Sequence, residues 1–129
     1  MKPPSDIIRL GKQSRDQLIK LKRHTGIESW NIICRWAFCA SLRETSLPPL
    51  DKTSAKDGVE ISWSVFAGDA SDYYAGLLLI WRRNYAANCK DVDDAALLHA
   101  HIRRGLGYLA AGTETRSISD FTKRWLEVG

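Results

Sequence analysis

Two different periods of apolar and polar residues run along this chain. At the start, Asp6 to Leu10 (DIIRL) alternates every second residue, so Ile8 and Leu10 share one face and Ile7 and Arg9 the other, the pattern of a half-buried strand. The period then lengthens to that of a helix. From about Ser14 to Thr25, Leu18, Leu21 and Thr25 gather on one side, and Gly26 follows as a residue able to end the helix in the left-handed conformation. A second helix is predicted from Ser29, as N-cap, to about Arg43. Trp30, Ile33, Cys34, Ala37, Phe38 and Ser41 recur there at helical spacing and form one stripe. Ile32, Trp36 and Cys39 form a second apolar line on another face of the same helix. A helix apolar on two sides is either central in its domain or shared with another subunit, and the second explanation is preferred.

Thr45 to Gly58 (TSLPPLDKTSAKDG) breaks the pattern with Pro, Ser, Lys and Asp and predicts an exposed connection. Beyond it, Val59 to Trp63 reads as a short extended piece. A helix follows from about Asp72 to Asn88, with Tyr74, Leu77, Leu78, Trp81 and Tyr85 as its core stripe. Another runs from about Asp91 to Leu109, with Asp91, Asp93 and Asp94 early and Arg103 and Arg104 late, the charge order that complements a helix dipole. A last short helix is expected over Ser119 to Glu127, burying Phe121, Trp125 and Leu126. No repeat or low-complexity segment is present.

Composition narrows the classes. A chain of 129 residues, 44% hydrophobic and 26% charged, reads as one domain with a core of its own: a basic strand-helix-helix part (1–44), a loop (45–58) and a helical part (59–129). Met1-Lys2-Pro3-Pro4 runs straight into charged sequence and no apolar run approaches the ~20 residues of a membrane span, so a cytoplasmic location is expected. Three cysteines without a C-x-x-C pair suggest neither a disulfide framework nor a redox motif. The net charge of +4 is unevenly placed: residues 1 to 44 carry nine Lys and Arg against Asp6, Asp16, Glu28 and Glu44, a net of +5, whereas residues 45 to 129 carry ten against eleven. Such asymmetry is the electrostatic footprint of a polyanion-binding face, or of a merely solvated basic surface.

The order strand, helix, glycine turn, helix over residues 6 to 43 is that of ribbon-helix-helix DNA binders of the Met-repressor type, in which two chains pair their strands into a ribbon. The fold class expected is therefore mainly α, with a ribbon-helix-helix-like start and a helical C-terminal half. More specifically, IRLGKQSRDQLIKLKRHTGI (8–27), NIICRWAFCASLRE (31–44) and VEISWSVFAGDASDYYAGLLL (59–79) resemble the DndE family, the small subunit of bacterial DNA phosphorothioation systems, over roughly residues 3 to 85. Those systems replace a non-bridging backbone phosphate oxygen with sulfur. The resemblance implies a mostly helical homo-oligomer, a tetramer, that binds double-stranded DNA with a preference for nicked duplex. It further implies partnership with a sulfurtransferase-like subunit and a structural-maintenance-type ATPase.

Several constellations could instead point to catalysis. Gly105 to Ala110 satisfies G-x-G-x-x-A, but a helical pattern precedes it where a dinucleotide site needs a strand, so close helix packing explains it better. No P-loop occurs. His99 and His101 are two apart on a predicted helix, about 200° from each other, and are poor joint metal ligands. Cys34 and Cys39 could meet a metal with His24 or Cys89 only through the tertiary fold, and core packing explains them. His24 beside Arg23 could touch phosphate or lower a thiol's pKa, or simply end a helix in solvent. Trp30 and Trp36 could stack on unpaired bases, although their spacing argues for packing. No catalytic residue, metal or cofactor is therefore assigned, and the chain is expected not to be an enzyme. Arg9, Lys12, Arg15, Lys20, Lys22 and Arg23 are the candidate DNA contacts, and Ile32, Trp36 and Cys39 the candidate oligomer interface. Two alternatives stay open: a DNA-nicking or DNA-modifying subunit using Asp69 and Asp72 on a metal, although both sit where helix N-caps belong, and a ribbon-helix-helix-type regulator or scaffold.

Overall fold

The computed structural model describes residues 1–50 and 57–112. Along them lie strand β1 (Ile7–Leu10), helices α1 (Lys12–Thr25) and α2 (Trp30–Leu42), strand β2 (Val59–Ser62), a short helix α3 (Trp63–Ala67), a 3₁₀ turn (Gly68–Ala70), and helices α4 (Ser71–Tyr85) and α5 (Asp94–Ala111). The protein is mainly helical with the expected strand-helix-helix start; the helix expected over Ser119 to Glu127 lies outside the described residues.

The ribbon is closed within one chain. β1 pairs antiparallel with β2, Ile8 opposite Ile61 and Leu10 opposite Val59, so the alternation read at Ile8 and Leu10 meets a matching alternation and all four side chains are buried on one face. The Trp63 amide extends the ladder by donating to the Asp6 carbonyl at 2.9 Å. Gly58 makes the approach possible, because a Cβ there would stand 1.9 Å from the Leu10 carbonyl oxygen. At Trp63 the extended segment ends sooner than expected. The Ser62 hydroxyl accepts from the Val65 amide at 3.3 Å and caps α3, a helix too short to show a period in the sequence.

Helix boundaries follow local chemistry. Gly26 adopts φ 76°, and its amide closes α1 on the Lys22 carbonyl at 3.0 Å. α4 starts after Ala70, with no side-chain cap, so Asp69 and Asp72 are not N-caps; Asp72 lies in the first turn and pairs with the N-terminal amine at 3.2 Å. α4 also stops at Tyr85, whose ring flanks Trp81 and is half exposed instead of joining the core. α5 begins later than expected because Asp93 is its cap, accepting from the Ala96 amide at 2.7 Å. Arg82 holds the turn before it, donating to Asp94 at 3.0 Å and to the carbonyls of Cys89 and Val92. α5 continues to Ala111, so Arg103 and Arg104 stand two turns from its end and do little for its dipole.

The core is organised by α5 crossing α2. A Cβ at Gly105 would meet the Ala37 carbonyl oxygen at 1.8 Å, so the two backbones touch at that point, which is the close helix packing expected of the glycine pair. Around the crossing Phe38, Leu98, Ile102 and Leu106 are fully buried, each contributing about 1.5–3 kcal/mol. One polar group sits among them. His101 is fully buried, edge-on to Trp81 with centroids 4.3 Å apart, and its Nδ1 lies 2.8 Å from the Ser41 hydroxyl. That hydroxyl also accepts from Arg104 Nε at 2.8 Å. Burial, aided by the charge of Arg104, pushes His101 down to about 3.

Two outcomes follow. Gly105→Ala forces backbone apart where no side chain can yield, and the urea midpoint should fall by the equivalent of about 3 kcal/mol or more. His101 takes up its proton in the unfolded chain near the ordinary 6.5 and in the folded chain only at about 3. Its contribution is therefore complete above about pH 7 and is lost as pH falls from 6.5, at about 1.4 kcal/mol per unit. His101→Gln should flatten the difference in midpoint between pH 7 and pH 5, a change of about 2 kcal/mol; an unaltered slope would refute the assignment.

Candidate nucleic-acid interface

α1 presents two chemically different sides. Leu18, Leu21, Ser14 and Thr25 face inward, and the Thr25 hydroxyl is satisfied by the Leu21 carbonyl at 2.7 Å. Opposite them stand Lys12, Arg15 and Arg23, with Lys22 on the flank, all exposed. At 1.5 Å per residue this row spans roughly 16 Å. Duplex DNA carries one charge per about 1.7 Å of axis, so several phosphates fall within reach of such a row. Asp16 and the partly exposed Ile19 interrupt it.

The other two cations expected on this face are already occupied. Lys20 is half buried and donates from Nζ to the Ala110 carbonyl at 3.0 Å, where it neutralises the C-terminal end of α5. Arg9, on the outward side of β1, lies 3.4 Å from Glu60, its cross-strand neighbour. Both positions are set by pairing across the fold and carry no local signal.

Arg103 and Arg104 were legible only as helix charges, yet the packing of α5 brings them beside the start of α1. With Lys12, Ser14, Ser46 and Tyr108 they line a cleft of about 520 Å³. Arg104 is held by Ser41 Oγ, the Ser41 carbonyl at 2.9 Å, the Ser46 carbonyl at 2.8 Å and Ser46 Oγ at 3.1 Å. Gly11, the N-cap of α1, has no side chain to offer the first turn, and no acid stands there.

On the far side of α2, Ile32, Trp36 and Cys39 come together with Arg35, Arg43 and Tyr74 around an apolar groove of about 330 Å³. Ile32 is exposed and Trp36 half buried. Arg35 is anchored by the Phe66 carbonyl and by the Val65 carbonyl at 3.3 Å, and Asn31 donates to the latter at 3.2 Å. The groove is thus built on a rigid floor.

Candidates for chemistry are dispersed. Cys34 is fully buried and its thiol is pushed up to about 12 by desolvation, which leaves no thiolate at neutral pH. The Cys39 thiol at the groove is also raised by burial. His99, half buried on α5, lies below its ordinary value through burial and the neighbouring Arg103. Trp30 packs on the core, as its spacing suggested. Among the described residues no three His, Cys, Asp or Glu side chains converge at metal-binding distance. No described helix is long and apolar enough to cross a membrane.

The profile of the family described as DNA sulphur modification protein DndE matches residues 7–117. The match passes the limit of residue 85 suggested by the quoted segments and takes in the whole of α5. Among solved structures, the chain is similar to DndE from Escherichia coli B7A, described as involved in DNA phosphorothioation modification, with 25% identity and a TM-score of 0.61 over 81% of this chain and 96% of that one. No curated protein matches the chain.

Proposed function

We propose, since the chain belongs to the DndE family of DNA sulphur modification proteins, that it is the DNA-binding, non-catalytic subunit of a phosphorothioation system. It holds duplex or nicked DNA on the wet side of α1 while partner subunits, a sulfurtransferase-like protein and an ATPase, carry out the chemistry in the cytoplasm. The segregation of charge on α1 carries this proposal: Lys12, Arg15 and Arg23 stand exposed on the side away from the buried Leu18 and Leu21, with Lys22 exposed on the flank. A non-catalytic role agrees with a sequence that holds no P-loop and with a Cys34 thiol locked in its protonated form. Positioning can still be decisive, because fixing a reacting phosphate in place is worth about 7–11 kcal/mol in favourable cases.

The groove over Ile32, Trp36 and Cys39 supports a second element, self-association into a homo-oligomer, a tetramer by family resemblance. An apolar concavity on the outer side of α2 gains from burial against another copy.

Arg15→Ala, Lys22→Ala and Arg23→Ala should each weaken duplex binding irrespective of sequence and lower the magnitude of the salt slope by about one, measured by gel shift from about 50 to 200 mM salt. Lys20→Ala should leave the slope as it is, since its ammonium serves α5. The triple variant, mixed with the partner subunits, should incorporate no sulfur into duplex DNA. Full incorporation would show that the chain's role lies elsewhere, and sulfur transfer or strand cleavage by the isolated wild-type chain would revive the enzyme alternative. Light scattering should find an assembly that Trp36→Asp dissociates; a monodisperse wild-type species near 14.5 kDa would remove the oligomer.

A further inference from the structure

We infer that the outer side of α4 is a two-fold contact with a second copy of this chain, the two helices crossing antiparallel beside Gly76. This goes beyond self-association through the groove on α2 and does not rest on it, since the two faces share no residue.

Tyr73, Gly76, Leu77 and Ile80 recur at i, i+3, i+4 and i+7 and so line one side of α4. The buried residues of that helix, Ala75, Leu78 and Trp81, lie on the opposite side. A surface helix carries polar residues on its outer face. Here Tyr73 is 62% and Ile80 57% exposed, the two most exposed large apolar side chains on the described helices. Leu77, between them, packs in part against the core. The Tyr73 ring is braced edge-on against Tyr74, with centroids 5.4 Å apart, and Tyr74 in turn stands against the buried Phe66.

Gly76 points to what covers this side. In mid-helix a glycine is weaker than an alanine, and a close backbone approach is the usual reason for one. At Gly105 the Ala37 carbonyl supplies that reason, whereas a Cβ at Gly76 would meet nothing within 4 Å. Nothing among the described residues requires the glycine, but a second backbone passing over it would.

Charge identifies the second helix as another α4. Asp72 stands in the first turn and Arg83 in the last, about three turns apart on the same flank of the apolar line. Two antiparallel helices bring like flanks together. With Gly76 beside the axis, Tyr73 then lies against Ile80 of the second copy, and Asp72 comes within a turn of its Arg83. A parallel alignment leaves acid and base at opposite ends. Arg83 is exposed and forms no ion pair among the described residues. Asp72 meets the N-terminal amine in a contact whose two side chains are 41% and 77% exposed, so its carboxylate stays open to a partner. Arg82 is turned inward to Asp94 and takes no part. The face is therefore self-complementary, as a two-fold interface must be.

Analytical ultracentrifugation at micromolar concentration and low salt tests the contact, with circular dichroism to show that each variant is folded. Ile80→Asp should halve the particle mass. Gly76→Gln, whose side chain has room within the chain, should weaken association at least tenfold with helix content undiminished. Asp72→Arg and Arg83→Asp should each halve the mass, and mixing these two variants should restore it, because the mixed pair carries opposite charges at both ends; recovery also excludes misfolding as the cause of the loss. A mass unaltered by Ile80→Asp and Gly76→Gln overturns the inference, as does a monomeric wild type, which would leave the face to a different protein. No recovery in the mixture overturns the antiparallel alignment. A mass halved by Ile80→Asp but not by Trp36→Asp sinks only the groove on α2, and the reverse sinks only the contact on α4.

Discussion

Backbone contact between α2 and α5 at Gly105 is the constraint on which the other placements depend. With no Cβ at that residue, the Ala37 carbonyl comes to within a distance that any side chain would block. A crossing this close fixes the axial register of both helices. One turn earlier on α5, His101 is delivered to Ser41 and Phe38 inside the core. The residue before the glycine, Arg104, is delivered to the carbonyl end of α2, where its guanidinium satisfies Ser41 and draws the following chain, through Ser46, over the start of α1. A helix end, a buried imidazole and a surface cleft thus share one cause.

That shared cause also explains why positive charge is sorted as it is. Lys20 and Arg104 complete the C-terminal ends of α5 and α2, structural tasks that use a cation's donors on main-chain carbonyls. Among the described residues Lys12, Arg15, Lys22 and Arg23 donate to no such carbonyl, and they remain exposed. A chain with a modest net charge therefore concentrates a field on one helix and one cleft, and fields of this kind steer polyanions in solution. The two sites differ in geometry. The α1 row is open and extended, whereas the cleft is concave.

α2 illustrates a second division of labour. Its inner stripe, Ile33, Cys34, Ala37 and Phe38, is entirely buried, largely by α5. Its outer line, Ile32, Trp36 and Cys39, is only partly covered and forms a groove whose floor Arg35 stiffens from below through α3. Apolar surface left in a concavity gains from being covered.

How much of this could be read from the residues depends on the range of the interaction involved. Periodicity alone located β1, α1, α2, α4 and α5, and even their inward faces at Ile8, Leu18 and Ile33, because burial repeats at the period of the local backbone. The left-handed end at Gly26 was legible for the same reason, as was the charge asymmetry of the first third. Short-range chemistry without a period was not: α3 depends on a single serine cap, and the start of α5 on which of three aspartates serves as its cap. Partners across the fold were beyond reach. Nothing near Lys20, Arg9 or Arg104 announces Ala110, Glu60 or Ser46, since those meetings are fixed by the β1–β2 register and by the α2–α5 crossing. The candidate face was therefore determined by the sequence as a helix with a cationic side. Which cations remain available on it, and that Arg103 and Arg104 join Lys12 around one cleft, only the tertiary structure decided.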